Sequence, residues 1–429
     1  MMEMPLPQSK RGSWTPMPNS PGHRAALPAA LLLTAVATTV LLGACAKTVK
    51  AQAASRQTAG AQTSAEFQSL SKQAQAALDA DKLQEAVPLF RRALKLNPRW
   101  AEGWWSLGTA YYDQDSYAEA ELAFQRVIAL EPKNGTAHAM LGLCEFELGD
   151  DKGALHDIEA TKALGIDLDP QLRNVVLFHE GVLLTRAGMF VAAEKPLASM
   201  CRDNLGGADV ARAFGMAALH MTDRQPPAPG SETATVVQQV GHADCIAAQK
   251  DFDTARRQFT YVVTTYPHFP YVHFAFGRML IEASDIPGAV SEFKREIDEG
   301  HDRLLPMLQI AAAEYKLDSA AGLPYAQQAV ALAPQVPFGH YLLGLLLANT
   351  GDDTKAIPEL ETARKAFPKD LKIYWALAAA YAHAGRSEDA MKARAEIARL
   401  TQTAGQQEAG AGLDAPITVT DAADQSRKN

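Results

Sequence analysis

Residues Ala101–Asn134 read AEGWWSLGTAYYDQDSYAEAELAFQRVIALEPKN. Trp104, Leu107, Gly108 and Tyr111 lie three and four residues apart, so they share one face of a helix. Ala120, Phe124 and Val127 repeat that spacing in a second helix, and the polar stretch after Tyr112 forms the turn between the two. Gly108 and Ala120 are small where the paired helices must approach, a place where a larger side chain would overpack. Pro132 cannot continue the second helix and sets the turn into the next unit.

The pattern recurs along the chain. The unit from Gly135 keeps Leu141, Gly142 and Ala154, and the unit from Pro337 keeps Leu343, Gly344, Ala356, Ala363 and Pro368. The unit from Leu371 has Tyr374, Leu377, Ala378, Tyr381, Ala390 and Ile397. Weaker copies keep Ala86, Phe90, Ala93 and Pro98 in 67–100, and Gly181 and Ala193 in 174–207. Two more keep Ala255, Phe259 and Pro267 in 236–269, then Gly277, Ala289 and Phe293 in 270–303. The irregular stretch 303–336 ends with Ala329 and Pro334 in place. About nine units exceed the roughly three that a stable stack needs. With characteristic types at positions 4, 7, 8, 11, 20, 24 and 32, the unit 101–134 resembles the tetratricopeptide repeat. The resemblance implies an all-α fold, a right-handed superhelical solenoid of helix-turn-helix pairs.

Residues 223–232, DRQPPAPGSE, form a Pro-rich segment that favours an extended linker. Two arrays are therefore expected, 64–222 and 233–403, hinged or bridged by an insert, with an additional helix over Ala208–Met221. The tail 404–429 is polar and rich in small residues, the composition of a disordered segment.

The chain is 429 residues long, 47% hydrophobic and 21% charged, with a net charge of -8. That is ample for a core, and the absence of a basic excess argues against nucleic acid as a partner. Ahead of the repeats, Lys10, Arg11 and Arg24 precede the apolar run Ala25–Ala44, the secretory pattern, and a start at Met17 would shorten the charged leader. The run ends Leu42-Gly43-Ala44-Cys45, which resembles the lipobox of bacterial lipoproteins. By that resemblance residues 1–45 are a signal peptide, Cys45 is lipidated, and 46–63 is a flexible tether. Several acyl chains at one site anchor a protein as one chain cannot. The expected location is the cell envelope, anchored by lipid and facing the periplasm, with the outer membrane favoured by Ala46. An uncleaved transmembrane anchor is the alternative reading of the apolar run. Cys144, Cys201 and Cys245 form no CxxC pair and read as small buried apolar residues.

Motifs for chemistry fail on inspection. His179-Glu180 lacks the second histidine of HExxH, since Leu183 stands there. Asp113–Tyr117 lacks the ligands of a calcium loop and reads as a solvated turn, as does Glu299–Asp302. No catalytic residue, metal, cofactor or small-molecule substrate is expected. In the repeat family the first helix of each pair lines the concave groove through positions 2, 5, 9, 12 and 13. Here these hold Trp105, Tyr112 and Phe146, then Tyr271, Phe274, Phe338, Tyr341 and Trp375. Aromatics suit a site that grips a peptide through a few anchors. The Lys and Asn clamp for a partner's C-terminal carboxylate is poorly represented, by Arg278, Asn349 and Lys372. The reading is a protein-binding adaptor or scaffold of the bacterial cell envelope. The alternatives are a soluble cytoplasmic adaptor and an enzyme with a site in the irregular region 205–235.

Overall fold

The computed structural model describes residues 62–165 and 168–407. The signal peptide with Cys45, the tether up to residue 61 and the chain from 408 lie outside the described residues. Among the described residues every regular element is a helix, in agreement with the all-α expectation. The chain begins with α1 over 62–79, α2 (Leu83–Leu96), α3 (Ala101–Tyr112), α4 (Tyr117–Leu130), α5 (Gly135–Leu148) and α6 (Asp151–Ala163). It continues with α7 (Pro170–Arg186), α8 (Phe190–Arg202), α9 (Ala208–Ala218), α10 (Glu232–Ala248), α11 (Phe252–Thr265) and α12 (Val272–Glu282). The last seven are α13 (Ile286–Glu299), α14 (Leu304–Glu314), α15 (Ser319–Leu332), α16 (Pro337–Asn349), α17 (Asp353–Ala366), α18 (Leu371–His383) and α19 (Ser387–Gln407). The last helix continues to Gln407, into the stretch assigned to the tail.

Two compact units divide at Val176/Leu177, within α7. In the first, Ala86, Phe90, Leu94 and Leu107 form one buried cluster, and Ala120, Phe124, Leu141, Leu143 and Val175 form the next. In the second, one cluster is built around Phe259, Phe276 and Phe293, and another around Leu343, Leu346, Leu360 and Leu377. From α2 to α6 and from α8 to α19 each helix packs on its successor, so the interior of each unit is a run of neighbouring contacts.

The small residue at position 8 has a specific partner. A Cβ on Gly108 would lie 2.8 Å from the Phe124 ring, one on Gly277 2.5 Å from Phe293, and one on Gly344 2.6 Å from Leu360. In each case the partner stands sixteen residues on, at position 24, and fills the space left by the missing side chain. The turn inside each pair is equally regular. Position 15 adopts positive φ at Asp81, Asp115, Gly149, Gly188, Lys250, Ser284, Gly351 and Gly385. The next residue caps the second helix at Asp150, Asp251, Asp285 and Asp352, each accepting a backbone N–H with its carboxylate.

Position 4 of the first helix is a hydrogen-bonding post. Trp104 Nε1 donates to Pro98 O at 2.9 Å, and Tyr374 Oη donates to Pro368 O at 2.9 Å. The proline that ends one unit thus offers its carbonyl to the next. Where position 4 is histidine, the ring turns to a carboxylate nineteen residues on: His138 to Asp157 at 2.6 Å, His273 to Glu292 at 2.7 Å, and His340 to Glu359.

The expected additional helix is α9. Its Gly215 crosses α10 at Gly241 so closely that a Cβ on Gly241 would lie 1.6 Å from Ala211 O, and one on Gly215 1.9 Å from Val237 O. Only residues without a Cβ permit this backbone approach. The Pro-rich segment 223–232 lies inside the second unit, connecting α9 to α10, whereas the sequence placed the division of the arrays there. The cysteines also differ from expectation. Cys201 at the end of α8 and Cys245 in α10 form a disulfide, with Cα atoms 5.1 Å apart, because α9 brings these helices side by side. Cys144 stays free and buried as expected, and burial pushes its thiol up to about 12.

Candidate partner-binding face

The first helices α3, α5, α12, α16 and α18 carry the eight aromatic positions, and their surroundings differ. Phe274, Phe338 and Tyr341 are 3%, 2% and 3% exposed, so they pack inward and present no ring to a partner. Phe338 stacks on Tyr341 at 5.4 Å, and Tyr341 meets the Phe367 ring edge-on at 6.1 Å. The physical reason is that a large apolar side chain at these positions gains more from a neighbouring helix than from water.

Trp105, Tyr112, Phe146 and Tyr271 are half-buried. Trp105 leans on Phe124 at 5.4 Å, and Tyr112 on Tyr117 at 5.3 Å. Tyr271 opens α12 at φ 65°, its N–H donating to Glu296 Oε1 at 3.0 Å and its hydroxyl to Asp302 at 3.2 Å. Its ring faces His220, which stacks on Phe190 at 4.2 Å. Trp375 is the outlier, 61% exposed on α18 with exposed Lys372 three residues before it.

The remaining polar candidates are occupied within the chain. Asn349 donates to Tyr315 O at 3.3 Å and Ser319 Oγ at 3.1 Å. Arg278 on α12 makes a two-pronged ion pair with Glu194 on α8. Asp244 on α10 and Glu282 stand beside it. Burial opposes the Arg278 charge, but Glu194, Asp244 and Glu282 overcome this and hold the guanidinium above its ordinary range. Burial, then Glu194, raise the Asp244 carboxyl well above the usual carboxylate range, with Arg278 working against them. Sequence reasoning missed this network because its members lie 84 residues apart at their furthest pair.

In the region 205–235, an open depression of about 460 Å³ is lined by Met221, Asp223, Arg224, Gln225, Pro227, Ala228, Ser231 and Thr233. Its one hydroxyl at a helix start, Ser231, donates to Ala228 O at 2.7 Å and caps α10 by accepting from Ala234 N at 3.1 Å. Ser231 is thereby committed to structure rather than poised as a nucleophile. No helix among the described residues is long and apolar enough to cross a membrane.

A family model described as tetratricopeptide repeat matches residues 71–134, 107–165, 309–370 and 341–405. The rat mitochondrial import receptor subunit TOM70 is 26% identical over 163 residues, covering 34% of this chain and 26% of the receptor; the mouse protein matches to the same extent. The chain thus matches about a quarter of the length of those curated relatives. Among solved structures, MamA is 21% identical with a TM-score of 0.35, covering 38% of this chain and 96% of that one. Yeast Tom70 is 15% identical with a TM-score of 0.30, covering 78% and 69%. A tetratricopeptide repeat protein from Parabacteroides merdae is 15% identical with a TM-score of 0.30, covering 66% and 99%. The chain is built from tetratricopeptide repeats, matched at 71–165 and 309–405, and its helix pairs keep the same construction between those stretches.

Proposed function

We propose that this chain is a protein-binding adaptor of the bacterial cell envelope, held by lipid at Cys45 and gripping partner segments with the first-helix faces of its repeats. The observation that carries the reading is Trp375, a large aromatic left 61% exposed on a first helix, where an unpartnered ring costs solvation and a partner would cover it. The half-buried Trp105, Tyr112, Phe146 and Tyr271 support the same use of this face.

The envelope location rests on Leu42-Gly43-Ala44-Cys45 after the apolar run. The Cys201–Cys245 disulfide supports it, since such bonds persist in oxidising compartments such as the periplasm. Metabolic labelling with palmitate should mark the wild-type chain and leave Cys45→Ser unmarked; equal labelling of both would remove the anchor. After membrane solubilisation, affinity capture should recover a protein partner, and Trp375→Ala and Trp105→Ala should weaken that capture without lowering the unfolding midpoint of the Trp375 variant. Capture that recovers no protein, or that survives both substitutions undiminished, refutes the reading.

A further inference from the structure

We propose that the first-helix face of the first unit takes a basic segment of the partner protein, with Lys or Arg side chains lying between the rings of Trp105, Tyr112 and Phe146 and the carboxylates of the adjoining turns. The inference rests on the adaptor reading and names the chemistry of the partner. Trp105 and Tyr112 lie on α3, Phe146 lies on α5, and all three are half-buried. Around them Asp81, in the turn after α1, and Asp113 and Asp115, in the turn after α3, are exposed, as is Glu147 near the end of α5.

Charge across the region is one-sided, with sixteen Asp and Glu against ten Lys and Arg between residues 62 and 165. The field is felt locally. Burial first, then Cys144, Tyr117, Glu147 and Asp113, raise the Tyr112 hydroxyl above the usual phenol range. Burial and then Asp81 raise the Asp113 carboxyl. The same Glu147 acts on both Tyr112 and Tyr117, so one negative region spans α3, α4 and α5. Beneath it, Gln114 Nε2 is buried without a hydrogen-bond partner. A cation over an aromatic face is attracted by the ring quadrupole, and clustered carboxylates raise its local concentration. An acidic segment would meet repulsion here.

The test uses the full chain and three fluorescent twelve-residue peptides of alternating leucine with lysine, glutamine or glutamate, followed by fluorescence anisotropy. The lysine peptide should bind, the glutamine peptide more weakly, and the glutamate peptide not measurably. The variant Asp81→Asn/Asp113→Asn/Asp115→Asn should lose about ten-fold in affinity for the lysine peptide at low salt and show a flatter salt dependence. Asp81 and Asp115 sit at φ 57° and 54°, a conformation that asparagine adopts readily, so this variant keeps its turns. A control variant, Asp203→Asn/Asp253→Asn/Asp298→Asn, removes three exposed carboxylates from the second unit and should bind as the wild type does. Equal binding of the glutamate peptide, an unchanged affinity in the first variant, or an equal loss in both variants overturns the proposal. A captured partner engaged through an acidic or neutral segment would overturn it too, while leaving the adaptor reading intact.

Discussion

Gly277→Ala should destabilise the second unit, against the usual direction of that substitution. In an exposed helix interior, glycine to alanine gains about 0.5–1 kcal/mol through lost unfolded-state freedom. Here the new Cβ would lie 2.5 Å from Phe293 Cε1, 2.7 Å from Cδ1 and 3.0 Å from Cζ, where ordinary contact begins at 3.4 Å. Phe293 is 0% exposed and its ring is 5.7 Å from the buried Phe274 ring, so it has nowhere to retreat without moving α12 from α13. Overpacking of this kind costs about 1–3 kcal/mol, which leaves a net loss of ~1–2 kcal/mol. Gly142→Ala is the matched comparison: its Cβ meets Ala154 O at 3.0 Å and Ile158 Cγ1 at 3.2 Å, a few tenths of an ångström of strain that the propensity gain offsets. Urea unfolding by circular dichroism should rank Gly277→Ala below wild type and Gly142→Ala beside it, with hydrogen exchange over 272–299 localising the loss. Adding Phe293→Leu should recover part of the Gly277→Ala cost, a coupling of about 1 kcal/mol between the sites. A Gly277→Ala variant as stable as wild type, or strict additivity with Phe293→Leu, refutes the packing account.

Burial, then the carboxylates of Asp157, Asp150 and Glu121, raise Glu145 to about 8. The folded state therefore keeps a proton that the unfolded state has released, so stability falls as pH rises from the ordinary carboxylate range toward 8. Solvent screening around this half-exposed group reduces the effect to ~1–2 kcal/mol. Glu145→Gln should flatten the dependence in melts between pH 5 and pH 9; an unaltered slope counts against it. Reduction of Cys201–Cys245, which closes a loop of 44 residues, should lower stability by about 4 kcal/mol on loop entropy alone. In a Cys45→Ser chain denatured without reductant, thiol titration should find the Cys144 thiol and no second one; three thiols would show the bond absent. Ser284 holds φ 63° in a turn where Gly351 and Gly385 hold 85° and 73°. Ser284→Gly should therefore raise stability by ~0.5–1 kcal/mol, relief of left-handed strain exceeding the entropy of the added freedom. A lowered melting midpoint would rule out strain there.

What could be read from the chain was whatever lies within one unit. Gly108 and Phe124, or Gly277 and Phe293, stand sixteen residues apart in every good copy, so the pattern shows directly and the structure places the side chains in contact. Legibility ends where a contact spans units. Cys201 and Cys245 meet only because α9 interrupts the register, and the Gly215–Gly241 crossing belongs to no position of the repeat. Phe338 and Trp375 hold comparable places on neighbouring first helices, yet one is buried and the other exposed. Which of them faces solvent depends on what the preceding and following helices supply. Single-unit spacing carries no information about that.

Most of the second unit is assembled from partners close in sequence, which favours early, local formation. The stretch from Glu194 to Arg278 is the exception. Its ion pair leaves the α8 carboxylate without its counter-ion until 84 further residues have emerged from the ribosome, whereas α16 and α17 can form their hairpin as soon as each is made. The middle of the chain is thereby the last part to mature and the part most in need of shielding during export, and pulse-labelled proteolysis during synthesis should find residues 190–282 cut longest.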